Sequence, residues 1–206
     1  WANGAALRAA GITRETRDPE GGRIERGPDG EPTGVVRDNA MPLLYGAAPA
    51  PSWDDRRVAL LEGQAALHRL GITGVHTVEP DTLGLLESVR SAGEIRLRVL
   101  QHLPLFELDA ALRLGLRSGF GGDWLRIGGV KMFLDGALGS RTAWLREPYE
   151  GTDDDRGVST LPPPEFRDAV RRGSAAGLAM TVHAIGDAAM DLALDVLGGE
   201  DARIEG

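Results

Sequence analysis

Cysteine is absent from the 206 residues. That excludes disulfides, cysteine-based zinc sites and thiol nucleophiles. Any metal must therefore rest on histidine, aspartate, glutamate or a modified side chain. Lysine is nearly absent: Lys131 is the only one, and the rest of the 23 basic residues are arginine. Histidine is scarce, with four: His68, His76, His102 and His183. No apolar run approaches the roughly 20 residues of a membrane span. Basic runs are also missing, and the formal charge is -8 with a pI near 5.0. This balance argues against nucleic acid or an anionic membrane as partner. A small-molecule substrate is the expected ligand, and the oligomeric state is not legible. There is no P-loop, no Ser-His-Asp order and no Gly-x-Gly-x-x-Gly turn, so the common nucleotide and acyl-transfer signatures do not apply. The expected location is the cytoplasm. The chain opens on Trp1 rather than Met, and its native start, with any signal peptide, is expected upstream.

What is present divides near residue 50. In residues 1–50, Asn3 is placed to cap a short helix over Ala5 to Ala10, with Gly11 as its stop. Gly22 to Arg26 and Pro32 to Val36 flank Gly27-Pro28-Asp29-Gly30, a hairpin signal. This segment reads either as a flap over a site or as a plain surface hairpin. Ala47 to Pro51 is an Ala/Pro linker. Beyond it strands and helices alternate, most pairs taking about 25 to 30 residues, the period of βα modules on a parallel sheet. Helices are predicted over Trp53–Leu70, Leu83–Ser91, Leu108–Ser118, a stretch from Pro162–Pro164 to Ala176, and Ala188–Leu197. Five strands are predicted, starting near Ile72, Ile95, Leu125, Leu178 and Ala202. A closed eight-stranded barrel takes about 250 residues. The expectation is therefore an α/β chain: residues 51–206 as the incomplete central part of a (β/α)8 barrel, and residues 1–50 as an insertion or flap. An open doubly wound sheet is the alternative.

Functional residues of parallel βα folds sit at the carboxyl ends of strands. Lys131 lies in the apolar run Ile127 to Leu134, ahead of a glycine-rich loop. A lysine amine that is desolvated can lose its proton, which a guanidinium in practice cannot. Three readings stay open for Lys131. It is a snorkelling or ion-paired side chain, a Schiff-base nucleophile, or a carbamylated lysine whose new carboxylate bridges metals. His183 ends the predicted strand Leu178 to Ala184. Asp187, four residues on, is placed to cap the next helix or to orient the imidazole. A packed, hydrogen-bonded core histidine is the competing reading. His76 has similar placement without a partner motif, and His68 and His102 read as structural. Asp153-Asp154-Asp155 lacks EF-hand spacing and reads as a solvated loop.

The run Gly129-Val130-Lys131-Met132-Phe133-Leu134-Asp135-Gly136-Ala137-Leu138-Gly139-Ser140-Arg141-Thr142-Ala143 resembles the signature of amidohydrolase family 3, the YtcJ-like branch. His183-Ala184-Ile185-Gly186-Asp187 resembles the same family, and so do Trp1 to Leu7 and Gly30 to Val36. The resemblance spans nearly the whole chain. It implies a metal-dependent amidohydrolase that uses one or two divalent metals, zinc foremost, to hydrolyse an amide or cyclic-amide C–N bond through activated water. It implies a carboxylated Lys131 and His183 as metal ligands, with Asp187 supporting the site from behind; Arg141 and Trp144, on the loop after the lysine strand, read either as substrate contacts or as loop packing. The family's His-x-His pair has no match here, nor has its catalytic aspartate. Gly206 stands where a further ligand histidine is expected. The chain is thus identified as an internal fragment expected to be inactive alone. A Schiff-base lyase using Lys131 and a non-catalytic binding protein on the same scaffold are the alternatives.

Overall fold

The structure, a computed structural model, describes residues 1–199. In order it forms α1 (Gly4–Ala9), β1 (Gly22–Arg26), β2 (Pro32–Asp38), α2 (Met41–Tyr45), α3 (Trp53–Arg69), β3 (Gly74–Thr77), α4 (Leu83–Ser91), β4 (Arg98–Pro104), a 3₁₀ turn (Leu105–Glu107), α5 (Leu108–Arg113), β5 (Leu125–Phe133), α6 (Pro163–Ala175), β6 (Met180–His183) and α7 (Asp187–Leu197). The residues group into two compact units. One holds Trp1–Ala50, Phe133–Glu165 and His183–Asp195; the other holds Pro51–Met132, Phe166–Val182 and the described residues from Val196.

In the first unit β1 and β2 form an antiparallel hairpin, with a register shift between Ile24 and Arg26. Asn3 caps α1 by accepting from the Ala6 N–H at 2.9 Å. The hairpin has a small core of its own, with Ile12, Ile24, Val36 and Ala40 buried and Leu7 and Leu44 packed against them. Helix α2, unpredicted, continues that core through Leu44. It is short, and Pro42 in its first turn suits a helix start.

The second unit carries the sheet, in the order β3-β4-β5-β6. β3 and β4 pair in parallel, as do β4 and β5. Between β5 and β6 the Val130 N–H donates to Ala179 O, and the Leu134 N–H donates to His183 O. The chain advances four residues on both strands between these bonds, so this pair is parallel too. Four parallel strands with intervening helices are the pattern of a partial (β/α)8 barrel. The fifth predicted strand, at Ala202, lies outside the described residues. Leu86, Val89, Ile95, Val99 and Leu125 form a core, with Leu60, Leu61 and Val75 against it. Ser52 and Asp55 close a capping box on α3. Helix α5 stops at Arg113, not Ser118, because Gly115 takes a φ of 65°. No helix among the described residues is long and apolar enough to cross a membrane.

Candidate functional site

In the first unit the chemistry gathers around His183, the last residue of β6. Its Nε2 lies 2.8 Å from the carbonyl oxygen of Gly136. A carbonyl only accepts, so Nε2 carries the hydrogen, and Nδ1 is left as the lone-pair nitrogen. The ring of Phe133 flanks the imidazole with centroids 5.4 Å apart. Beneath them lies Asp135, 2% exposed. Its Oδ1 accepts from the Ile185 N–H at 3.0 Å. Its Oδ2 accepts from the N–H groups of Trp144 at 2.9 Å and Gly186 at 2.7 Å. One carboxylate thus ties the loop after β5 to the loop after β6. Gly186 must be glycine for this to close, since a Cβ there would fall 1.8 Å from the Trp144 carbonyl oxygen.

The glycine-rich loop is ordered by its own backbone. Thr142, fully buried, accepts from the Ala137 N–H through its hydroxyl, and its carbonyl accepts from Gly136 and Val158. Arg141, at φ 55°, donates to the Glu150 carbonyl and lies over the Tyr149 ring at 5.2 Å. Trp144 is half-buried, with its backbone bonded to Asp135. Asp187 opens α7 and accepts from the Arg146 N–H at 2.8 Å. Asp155 of the acidic run accepts from Arg23 and from the Gly157 N–H.

In the second unit Lys131 sits two residues from the carboxyl end of β5, beside Pro104 of β4. Burial holds its amine below the usual lysine range. On the adjoining strands a polar chain runs His76–His102–Thr181. His76 Nδ1 is 3.1 Å from His102 Nε2, and His102 Nδ1 is 3.0 Å from the Thr181 hydroxyl. Gln101 and His102 alternate to opposite faces, Gln101 bonded to Thr82 and His102 facing Gly128 with Leu100, and both are buried because a parallel sheet is covered on both faces. The partner of His76 comes from another strand, which is why His76 looked partnerless in the sequence. His68 instead bonds the Arg96 carbonyl, a structural role.

Burial, then the nearby His76, then Lys131 push the His102 imidazole below its ordinary pKa. In the unfolded chain it titrates near the ordinary value of about 6.5. Just below that pH the unfolded state binds more protons, so stability falls as the solution is acidified. The urea midpoint should drop between about pH 7.5 and pH 5, and His102→Gln should flatten that slope.

Among the described residues, no three His, Asp or Glu side chains come together as a metal cluster. His183, in the first unit, leaves Nδ1 with a lone pair, and Lys131, in the second unit, has an amine that burial makes easier to deprotonate. Asp135 was not singled out in the sequence, although an acid directly after the apolar run Val130 to Leu134, at a strand exit, was the available signal.

Comparison with known proteins places these features in a family. A family model described as the amidohydrolase family matches residues 1–204. The Bacillus subtilis protein YtcJ is 34% identical over 202 residues, covering 95% of this chain and 38% of YtcJ. An N-substituted formamide deformylase of Arthrobacter pascens is 29% identical over 214 residues, covering 95% of this chain and 38% of that protein. The crystal structure of an uncharacterized metal-dependent hydrolase from Pyrococcus furiosus superposes with a TM-score of 0.73 at 28% identity, over 98% of this chain and 41% of that one. The chain therefore spans about two fifths of the length of these relatives. A βα sheet with a lone strand lysine and a strand-end histidine, matched over nearly its whole length, belongs to the amidohydrolase family.

Proposed function

We propose that the protein is a metal-dependent hydrolase acting on the C–N bond of an amide or cyclic amide, with Lys131 and His183 supplying two of the metal ligands. The observation that carries this reading is Lys131, the one lysine of the chain, held on β5 with its amine depressed by burial. The neutral amine adds carbon dioxide and releases a proton, which turns a cation into an oxygen donor. His183 presents Nδ1 while Gly136 holds the hydrogen on Nε2. Asp135 fixes the backbone of Ile185 and Gly186, and with it the position of the imidazole. Lys131, once carbamylated, and His183 would hold a divalent metal, with zinc the proposed ion, which would supply Lewis-acid activation of water and of the scissile carbonyl. Asp187 secures the loop behind the site through Arg146, and Arg141 and Trp144 are the proposed substrate contacts. The A. pascens relative, named for N-substituted formamides, supports the C–N assignment. The 206 residues alone are proposed to be inactive, because they contain no His-x-His pair.

The test uses a chain spanning the full length of the matched relatives, assayed on N-benzylformamide. Chelation should abolish hydrolysis, and zinc with bicarbonate should restore it more fully than zinc alone. Hydrolysis that survives exhaustive chelation would sink the metal reading. A depressed amine also suits a Schiff base, and borohydride trapping of a carbonyl substrate on Lys131 would favour that alternative.

A further inference from the structure

Within the first unit, the hairpin and the residue after it are tied to the loop that follows β5 at three points. Arg23 donates to both carboxylate oxygens of Asp155, at 3.3 and 3.4 Å. The Asn39 amide donates to the Thr160 carbonyl at 3.3 Å. Thr160 in turn donates to the carbonyls of Phe133 and Leu134, at 2.9 and 3.0 Å, where β5 ends. The third tie is Arg37 of β2. One arm of its guanidinium donates to the Ser140 carbonyl, and the other donates to Glu25 of β1. Nothing in the mechanism above uses this arginine.

From Ser140 a continuous path of hydrogen bonds runs to the histidine. The Ser140 hydroxyl meets the Thr142 hydroxyl at 2.7 Å. The Thr142 carbonyl accepts from the Gly136 N–H at 3.1 Å, and the Gly136 carbonyl takes the hydrogen of His183 Nε2. A Cβ on Gly136 would fall 2.0 Å from the Thr142 hydroxyl oxygen, so the two ends of this turn are in direct contact. Between Ser140 and Thr142 stands Arg141 at a φ of 55°. A side chain other than glycine holds that left-handed conformation only where its surroundings fix it. The Ser140 carbonyl belongs to the peptide just ahead of Arg141, about whose N–Cα bond this angle is defined. Arg37 therefore grips the strained turn at the group that sets the strain.

We infer that Arg37 is a positioning residue: by pinning the Ser140 peptide it holds the Gly136 carbonyl that keeps the hydrogen on His183 Nε2 and leaves Nδ1 to a ligand. The hairpin acts through it as a brace on the loop. The bond is charge-assisted, and so stronger than one between neutral groups. The value of this hold for turnover rests on the hydrolase reading above, in which His183 is a ligand. The hold on the imidazole itself needs neither metal nor turnover.

The experiment is proton–nitrogen correlation NMR of the metal-free 206-residue chain, reading the ring N–H of His183 and its exchange with water at about pH 8, above the ordinary histidine range. A ring hydrogen held by a carbonyl is protected, and it exchanges through local opening of that bond. Arg37→Met keeps the apolar stem and removes the donor; it should speed the exchange at least about fivefold. Arg37→Gln, two atoms too short to reach the Ser140 carbonyl, should do the same and serves should Arg37→Met fail to fold. Glu25→Gln loses the ion pair with Arg37 and keeps the bond to Ser140, so the exchange should stay within about twofold of the unaltered chain. An increase of less than about fivefold in the folded Arg37 variants overturns the assignment. So does a Glu25→Gln chain whose ring hydrogen exchanges as fast as theirs, because the arginine would then act only through the stability of the hairpin. The expected pattern in a protein whose full-length form hydrolyses nothing would retire the hydrolase reading and keep this one.

Discussion

Lys131→Ala will lower hydrolysis by the full-length protein at least about a thousandfold, the equivalent of about 4 kcal/mol of transition-state stabilisation. On the proposed reading the loss follows from the oxygen donors that a carbamylated Lys131 would contribute. Lys131→Arg should lose as much, since a guanidinium keeps the charge but takes up no carbon dioxide. This comparison separates the ligand role from a merely ion-paired lysine, for which arginine would serve. Alanine leaves room at β5, so adding a short carboxylate such as propionate should recover at least about tenfold of the lost rate and raise bound metal. Full activity in Lys131→Arg would show that the charge alone matters, and would remove the carbamate from the mechanism.

Asp135→Ala is expected to be the most destabilising single change in the first unit. It leaves the N–H groups of Trp144, Ile185 and Gly186 without their acceptor in a place that is 2% exposed. At about 1–3 kcal/mol for each of three stranded donors, the total is roughly 3–9 kcal/mol, a large share of the 5–15 kcal/mol that holds a typical domain together. Asp135→Asn should cost about a third to a half as much. With its oxygen in the Oδ2 position it still accepts from Trp144 and Gly186, and only Ile185 is lost. Urea unfolding near neutral pH measures both variants. If alanine and asparagine shift the midpoint equally, the carboxylate is not held by these three bonds.

Much of the sheet was legible because its signals are local. Lys131 stands in an apolar run flanked by glycines, and β5 runs from Leu125 to Phe133 as the sequence suggested. The cap at Asn3 was equally plain, since it depends on a residue three positions away. What escaped depends on distant partners. The pairing of His76 with His102 joins two strands, and neither strand's own residues encode it. Asp135 reads as an ordinary loop acid until Ile185 and Gly186 arrive from another strand. The lysine and the histidine were each found from their own strands.

The three bonds of Asp135 also set an order of assembly. They join residues separated by 9, 50 and 51 positions. Closing the longer two loops costs chain entropy before any bond rewards it, so they form after the strands and helices between them are in place. The amides of Ile185 and Gly186 should then gain hydrogen-exchange protection among the last in refolding, well after those of β5. These bonds are thus acquired after β5 has formed, and a nascent polypeptide that has not yet reached Ile185 and Gly186 leaves Asp135 with only the Trp144 N–H of its three donors.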